Sequence, residues 1–110
     1  MAYIAMRFIE TPIFTRIVSR FLTDDAYRVL QLTLLLRPEQ GTLIKGSGGL
    51  RKMCWASHGH GKRGGIRVIY YWAAPEQMIY MLYMYAKSEQ SDLSAAQLKI
   101  LARLVKEEFK

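Results

Sequence analysis

A chain of 110 residues, about half of them hydrophobic, holds enough apolar side chain for one core and too little for two, so residues 1–110 are expected to form one domain. The single cysteine, Cys54, excludes an intrachain disulfide and fits a reducing, cytoplasmic compartment. No stretch approaches the roughly 20 apolar residues of a membrane-spanning helix, and the N-terminal run is broken by Arg7, Glu10 and Pro12, so neither export nor a membrane partner is expected.

Charge is more informative when mapped than when summed. Sixteen Lys and Arg face nine Asp and Glu, for a net charge of +7. No acid lies between Glu39 and Glu76, while Lys45, Arg51, Lys52, Lys62, Arg63 and Arg67 all do. Every glycine also falls in that region, from Gly41 to Gly65, where glycine permits close backbone approach and exposes N–H groups. A basic, glycine-rich window of this kind is suited to an anionic partner.

In chain order, "YIAMRFIET" (3–11) has the composition and partial alternation of a first strand. From residue 13, Ile13, Ile17 and Phe21, flanked by Phe14, Val18 and Leu22, recur at helical spacing. Thr23 followed by Asp24 and Asp25 is a helix start, because a hydroxyl caps free N–H groups and carboxylates favour the positive end of the helix dipole. The second helix is expected over 24–36, ended by Pro38 and Gly41.

After "KGSGG" the period changes. Residues 50–56, 66–74 and 77–86 are short, rich in β-branched and aromatic side chains, and separated by turn signals, which predicts an antiparallel meander. The polar connection 57–65, "SHGHGKRGG", is longer than a tight hairpin. Ser94 with Gln97 three residues on matches a capping box, followed by an apolar stripe of Leu98, Leu101, Ala102, Val105 and Phe109.

Strand alternation sorts the charges. Lys52 and Cys54 share one face of their strand, with Arg51, Met53 and Trp55 on the other; Arg67, Ile69 and Tyr71 lie opposite Val68, Tyr70 and Trp72. If the helices cover one face of the sheet, the other exposes Lys52, Arg67 and Lys87, with Lys62 and Arg63 on the adjoining loop. Lys45 and Arg51 extend the cationic surface, and most of the tyrosines are expected in the core, with Tyr71 the candidate for stacking on a base.

Several sharper motifs fail. "GTLIKGS" (41–47) has two glycines of a phosphate loop but Ser47 where its lysine belongs. His58 and His60, two apart, and one thiol give little support for a metal site, and no cofactor is expected. Any chemistry falls to cations.

Three segments, "LIKGSGGLRKMCWA", "GKRGGIRVIYYW" and "IYMLYMYAKSEQSDLS", closely resemble, in order and at similar spacing, the HigB-type branch of the RelE/ParE toxin superfamily. The resemblance covers roughly residues 24–105. It implies an α+β fold, with two N-terminal helices and a C-terminal helix packed on a small antiparallel sheet of about four strands. It also implies a ribosome-dependent endonuclease that cleaves messenger RNA without a metal ion, and a cognate HigA-like antitoxin as partner besides the ribosome. Residue by residue, Lys52, Arg67 and Lys87 match basic active-site positions, and Lys62 and Arg63 match a basic loop suited to RNA. Cys54 departs from the pattern, since the branch usually carries a second basic residue there. A ParE-like inhibitor of DNA gyrase and a non-catalytic nucleic-acid-binding module remain as alternatives.

Overall fold

A computed structural model describes residues 6–56 and 65–109. The elements are β1 (Arg7–Glu10), α1 (Pro12–Phe21), α2 (Asp24–Leu36), β2 (Thr42–Leu43), β3 (Leu50–Trp55), β4 (Ile66–Ala73), β5 (Met78–Ala86) and α3 (Ala95–Phe109). The fold is α+β: three helices pack on one five-stranded sheet of order β1-β5-β4-β3-β2.

Local chemistry sets the helix ends. The buried Thr11 hydroxyl accepts from the Phe14 N–H at 3.0 Å and donates to the Leu82 carbonyl at 2.8 Å, so one side chain caps α1 and fastens it to β5. Pro12 then stands at the first helical position, where its missing N–H costs nothing. Thr23 caps α2 through the Ala26 N–H at 3.1 Å, with Asp24 and Asp25 in the first turn. Before α3 the capping box closes reciprocally: Gln97 N–H to Ser94 Oγ at 3.0 Å, and Ser94 N–H to Gln97 Oε1 at 2.9 Å.

The meander β3-β4-β5 is antiparallel as the sequence predicts, but the sheet has five strands instead of about four. Two-residue β2 adds an antiparallel edge to β3, and β1 joins β5 in parallel. The expected first strand begins later, at Arg7, and residues 1–5 lie outside the described residues. Within α1 only Phe14 is fully buried; Ile13 is partly exposed beside Ile100 and Leu104 of α3, and Leu22, just past the helix, is buried.

Both faces of the sheet are covered, which corrects the expectation of helices on one face only. Phe14, Leu30 and Leu34 of α1 and α2 pack against Met53, Val68, Tyr70, Ile79 and Met81. Leu101 and Val105 of α3 pack on the opposite face against Leu50, Ile69, Tyr80 and Leu82. Each helix presents one apolar stripe, and a central strand buried on both sides needs two.

Gly65, the residue before β4, has a φ of +52°, and a Cβ there would stand 2.8 Å from the Trp55 carbonyl oxygen. Its own carbonyl accepts from the Lys87 N–H at 3.2 Å. The substitution Gly65→Ala combines left-handed strain with a clash against backbone, and is expected to destabilise the fold by about 2 kcal/mol in urea unfolding. A loss under about 0.5 kcal/mol would show that the strand entry is not held in this conformation.

Candidate active site

The residues of interest are assembled by strand register on the α3 face of the sheet. Cys54 of β3 pairs with Arg67 of β4, and Arg67 with Tyr85 of β5, so these three form one row across the sheet. In the next row on the same face stand Lys52, Ile69 and Tyr83. Tyr85 reaches this face because of a bulge. The register steps from Ile69↔Tyr83 to Tyr70↔Met81, leaving Leu82 as an extra residue in β5. The bulge inverts the alternation, so that Ile79, Met81 and Met84 face α1 and α2 while Tyr80, Leu82 and Tyr85 face α3.

Helix α3 covers only part of that face. Its Phe109 ring sits 5.4 Å from Tyr71 and 5.6 Å from Tyr80, on the row that also contains Leu50. Arg67 lies four residues along β4 from Tyr71, about 13 Å away at the strand rise. The segment entering α3 reaches toward the opposite end: Lys52 Nζ donates to Asp92 Oδ1 at 3.1 Å. The same oxygen accepts from the Leu93 N–H at 2.9 Å. The Lys52 hydrogen bond, reinforced by Leu93, holds the Asp92 carboxyl below the usual carboxylate range.

Tyr85 is buried, and its hydroxyl lies beside the Asp92 carboxylate without a hydrogen bond of good geometry among the described residues. Burial first, and then the nearby Asp92 carboxylate, push its pKa up to about 12, against an opposing influence from Arg67. At neutral pH the phenol therefore keeps its proton and offers a donor. Arg67 itself is half-buried, and its Nη1 donates a long contact of 3.4 Å to the Ile66 carbonyl. Lys87 is exposed in the turn after β5, its backbone joined to Gly65 two residues before Arg67.

Of the residues singled out from the sequence, Lys52, Arg67 and Lys87 thus collect around one end of the sheet, together with Cys54, whose side chain is exposed. Lys62, Arg63, His58 and His60 lie outside the described residues. Three other candidates are not brought to this end. Arg51 faces α2, and its Nη1 braces the carbonyls of Glu39 and Gly41, each at 2.8 Å. Lys45 is exposed in the turn between β2 and β3, beside Leu50 and thus at the far end of β3 from Cys54. Tyr71, half-buried, packs against Phe109 with ring centroids 5.4 Å apart, on the row of Leu50 and Tyr80. Sequence reasoning missed Tyr85, one of three tyrosines in "IYMLYMYA", and Asp92, which lies outside the acid-free window.

Several donors, one of them the planar Arg67 guanidinium, stand around a partly covered patch, with the Asp92 carboxylate on Lys52. Such an arrangement is suited to a phosphodiester: planar donors match phosphate oxygens, and cations offset the charge that builds up when phosphorus is attacked.

Comparison with known proteins bears on the family and the fold. Residues 14–110 match the family model described as the RelE toxin of the RelE/RelB toxin–antitoxin system. Among solved structures, the chain is similar to a mutant of E. coli toxin RelE with two arginines replaced by alanine, in the free state. The TM-score is 0.59 at 10% sequence identity, and the match covers 91% of this chain and 96% of that one. At that identity the likeness is one of fold.

Proposed function

Because the chain belongs to the RelE toxin family, we propose that it is a ribosome-dependent endonuclease of the HigB-type branch, cleaving messenger RNA in the decoding site and held in check by a HigA-like antitoxin. The observation that carries this reading is the convergence of Lys52, Arg67 and the turn bearing Lys87 on one end of the sheet, with the protonated Tyr85 hydroxyl beside them. A protein that only docks on another protein has no need of such a set.

In the proposed reaction the RNA 2′-hydroxyl attacks the adjacent phosphorus. A P–O2′ bond forms and the P–O5′ bond breaks, giving a cyclic phosphate and a free 5′-hydroxyl. One proton leaves the 2′-oxygen and one is delivered to the 5′-oxygen, with Lys52 and Lys87 as the groups for these transfers. Arg67 donates to the phosphate oxygens throughout. Tyr85 acts as a donor and not as a base, since burial keeps its hydroxyl protonated. No metal ion takes part in this scheme.

The test is induced expression in a bacterial host with mapping of messenger RNA ends on translating ribosomes. New ends within translated codons, absent from an uninduced culture, are the expected result. Growth arrest without such ends, accompanied by loss of gyrase supercoiling activity, would replace this reading with the ParE-like one. Ribosome or RNA binding without cleavage would leave a plain binding module.

A further inference from the structure

The stretch 40–75, which carries Lys52 and Arg67, is free of acids, yet the fold delivers one to Lys52 from 40 residues away. Asp92 follows β5 and precedes the cap of α3, in a segment braced on both sides. Gln90 Nε2 donates to the Asp92 carbonyl at 2.8 Å and to Gln97 Oε1 at 2.9 Å, and Gln97 in turn closes the capping box with Ser94. The Leu93 N–H fixes the carboxylate to this frame. The Asp92 carboxylate, although 65% exposed, is thus oriented by this frame.

Lys52 is its opposite. An ammonium on a flexible four-carbon stem samples many rotamers unless an acceptor holds it. Arg67 of β4, in the row next to its own and on the same face, carries the same charge, and its repulsion favours a Lys52 side chain turned away from the site. We propose that Asp92 is a positioning residue, which holds the Lys52 ammonium beside the Cys54–Arg67–Tyr85 row in the place it occupies when a phosphodiester enters. The proposal rests on the endonuclease reading above.

The substitution Asp92→Asn separates the two duties of this side chain. Its amide oxygen still accepts from the Leu93 N–H, so the segment keeps its shape, while the charge that holds Lys52 is gone. On ribosomes programmed with messenger RNA, the single-turnover cleavage rate is expected to fall about tenfold with affinity for the ribosome within about twofold, the pattern of lost orientation. In a Lys52→Ala background the same substitution should cost about twofold at most, because Asp92 acts mainly through Lys52 and otherwise only on the neighbouring Tyr85 hydroxyl. A D92N rate equal to wild type, or a full additional tenfold loss in the double variant, would overturn the proposal.

A second readout does not depend on activity. The Lys52 ammonium, held by a carboxylate, should give a resolved Nζ signal in nuclear magnetic resonance spectra of the wild type that disappears in D92N, with backbone signals elsewhere unchanged. A wild type that cleaves nothing overturns the nuclease reading and leaves the hold on Lys52 to be decided by this signal. An identical signal in both variants overturns the hold itself, even where cleavage is observed.

Discussion

Arg67→Ala is expected to lower the rate of messenger RNA cleavage on translating ribosomes by about 100-fold to 1000-fold, the usual consequence of removing one fixed donor from a developing oxyanion. Arg67 stands at the centre of its row, between Cys54 and Tyr85, and Gly65 sets the strand that carries it. Its planar fork offers two parallel donors where lysine offers a point charge, so Arg67→Lys should recover only part of the loss. Folding should be little affected, because the side chain is only half-buried, near the end of β4 away from the Phe109 contacts of α3. The measurement is a single-turnover time course with purified ribosomes, alongside a urea unfolding curve for each variant. Wild-type cleavage by Arg67→Ala would remove this residue from the site, and a collapsed unfolding transition would recast it as a structural residue.

Phe14→Ala is expected to produce the largest loss of stability of any single change considered, about 3–5 kcal/mol. Phe14 has no exposed surface, packs on Tyr27 with ring centroids 5.7 Å apart, and belongs to the layer that joins α1 and α2 to the sheet. Its backbone N–H also donates to Thr11, the residue that ties α1 to β5, so a collapse of the site would disturb that junction as well. Against a total stability of about 5–15 kcal/mol for a domain of this kind, the variant stands near the threshold of folding. Chemical denaturation measures it directly, and Phe14→Leu, which keeps most of the volume, should lose far less. A loss for Phe14→Ala below about 1.5 kcal/mol would mean that the layer closes over the vacated space.

What could be foreseen in the residues follows how local each signal is. Helix α2 runs over the expected 24–36 because both its ends carry their own instructions, Thr23-Asp24-Asp25 at one and Pro38 and Gly41 beyond the other. The Ser94–Gln97 box marks the start of α3 for the same reason. Strand β2 escapes notice because two residues have no period; it exists through the pairing of Thr42 with Lys52 and Leu43 with Arg51. The parallel placement of β1 is equally silent, being decided by a partner at the other end of the chain.

The same division runs through the site. Alternation alone separates Lys52 from Arg51, and the structure bears that out: one reaches toward Asp92, the other is consumed in bracing two carbonyls. Tyr85 could not be sorted by alternation, since the bulge at Leu82 reverses the faces halfway along β5. Asp92 was hidden by a more general difficulty. An acid-free stretch of sequence is not an acid-free volume, and the connection into α3 crosses into the space that the basic window occupies.

The parallel pairing of β1 with β5 has a consequence in time. Arg7 meets Met78, and Thr11 meets Leu82 across 71 residues of chain, whereas β3, β4 and β5 are neighbours in sequence. Contacts of short separation form early and cheaply, while closing a long loop must wait until there is something for it to dock on. The meander should thus assemble first and β1 last, so that Phe8→Ala speeds unfolding while leaving the folding rate nearly unchanged, an ordering that stopped-flow kinetics can test. During synthesis the first strand to leave the ribosome is then the last to be placed, and the nascent chain stays incomplete until β5 has followed it out.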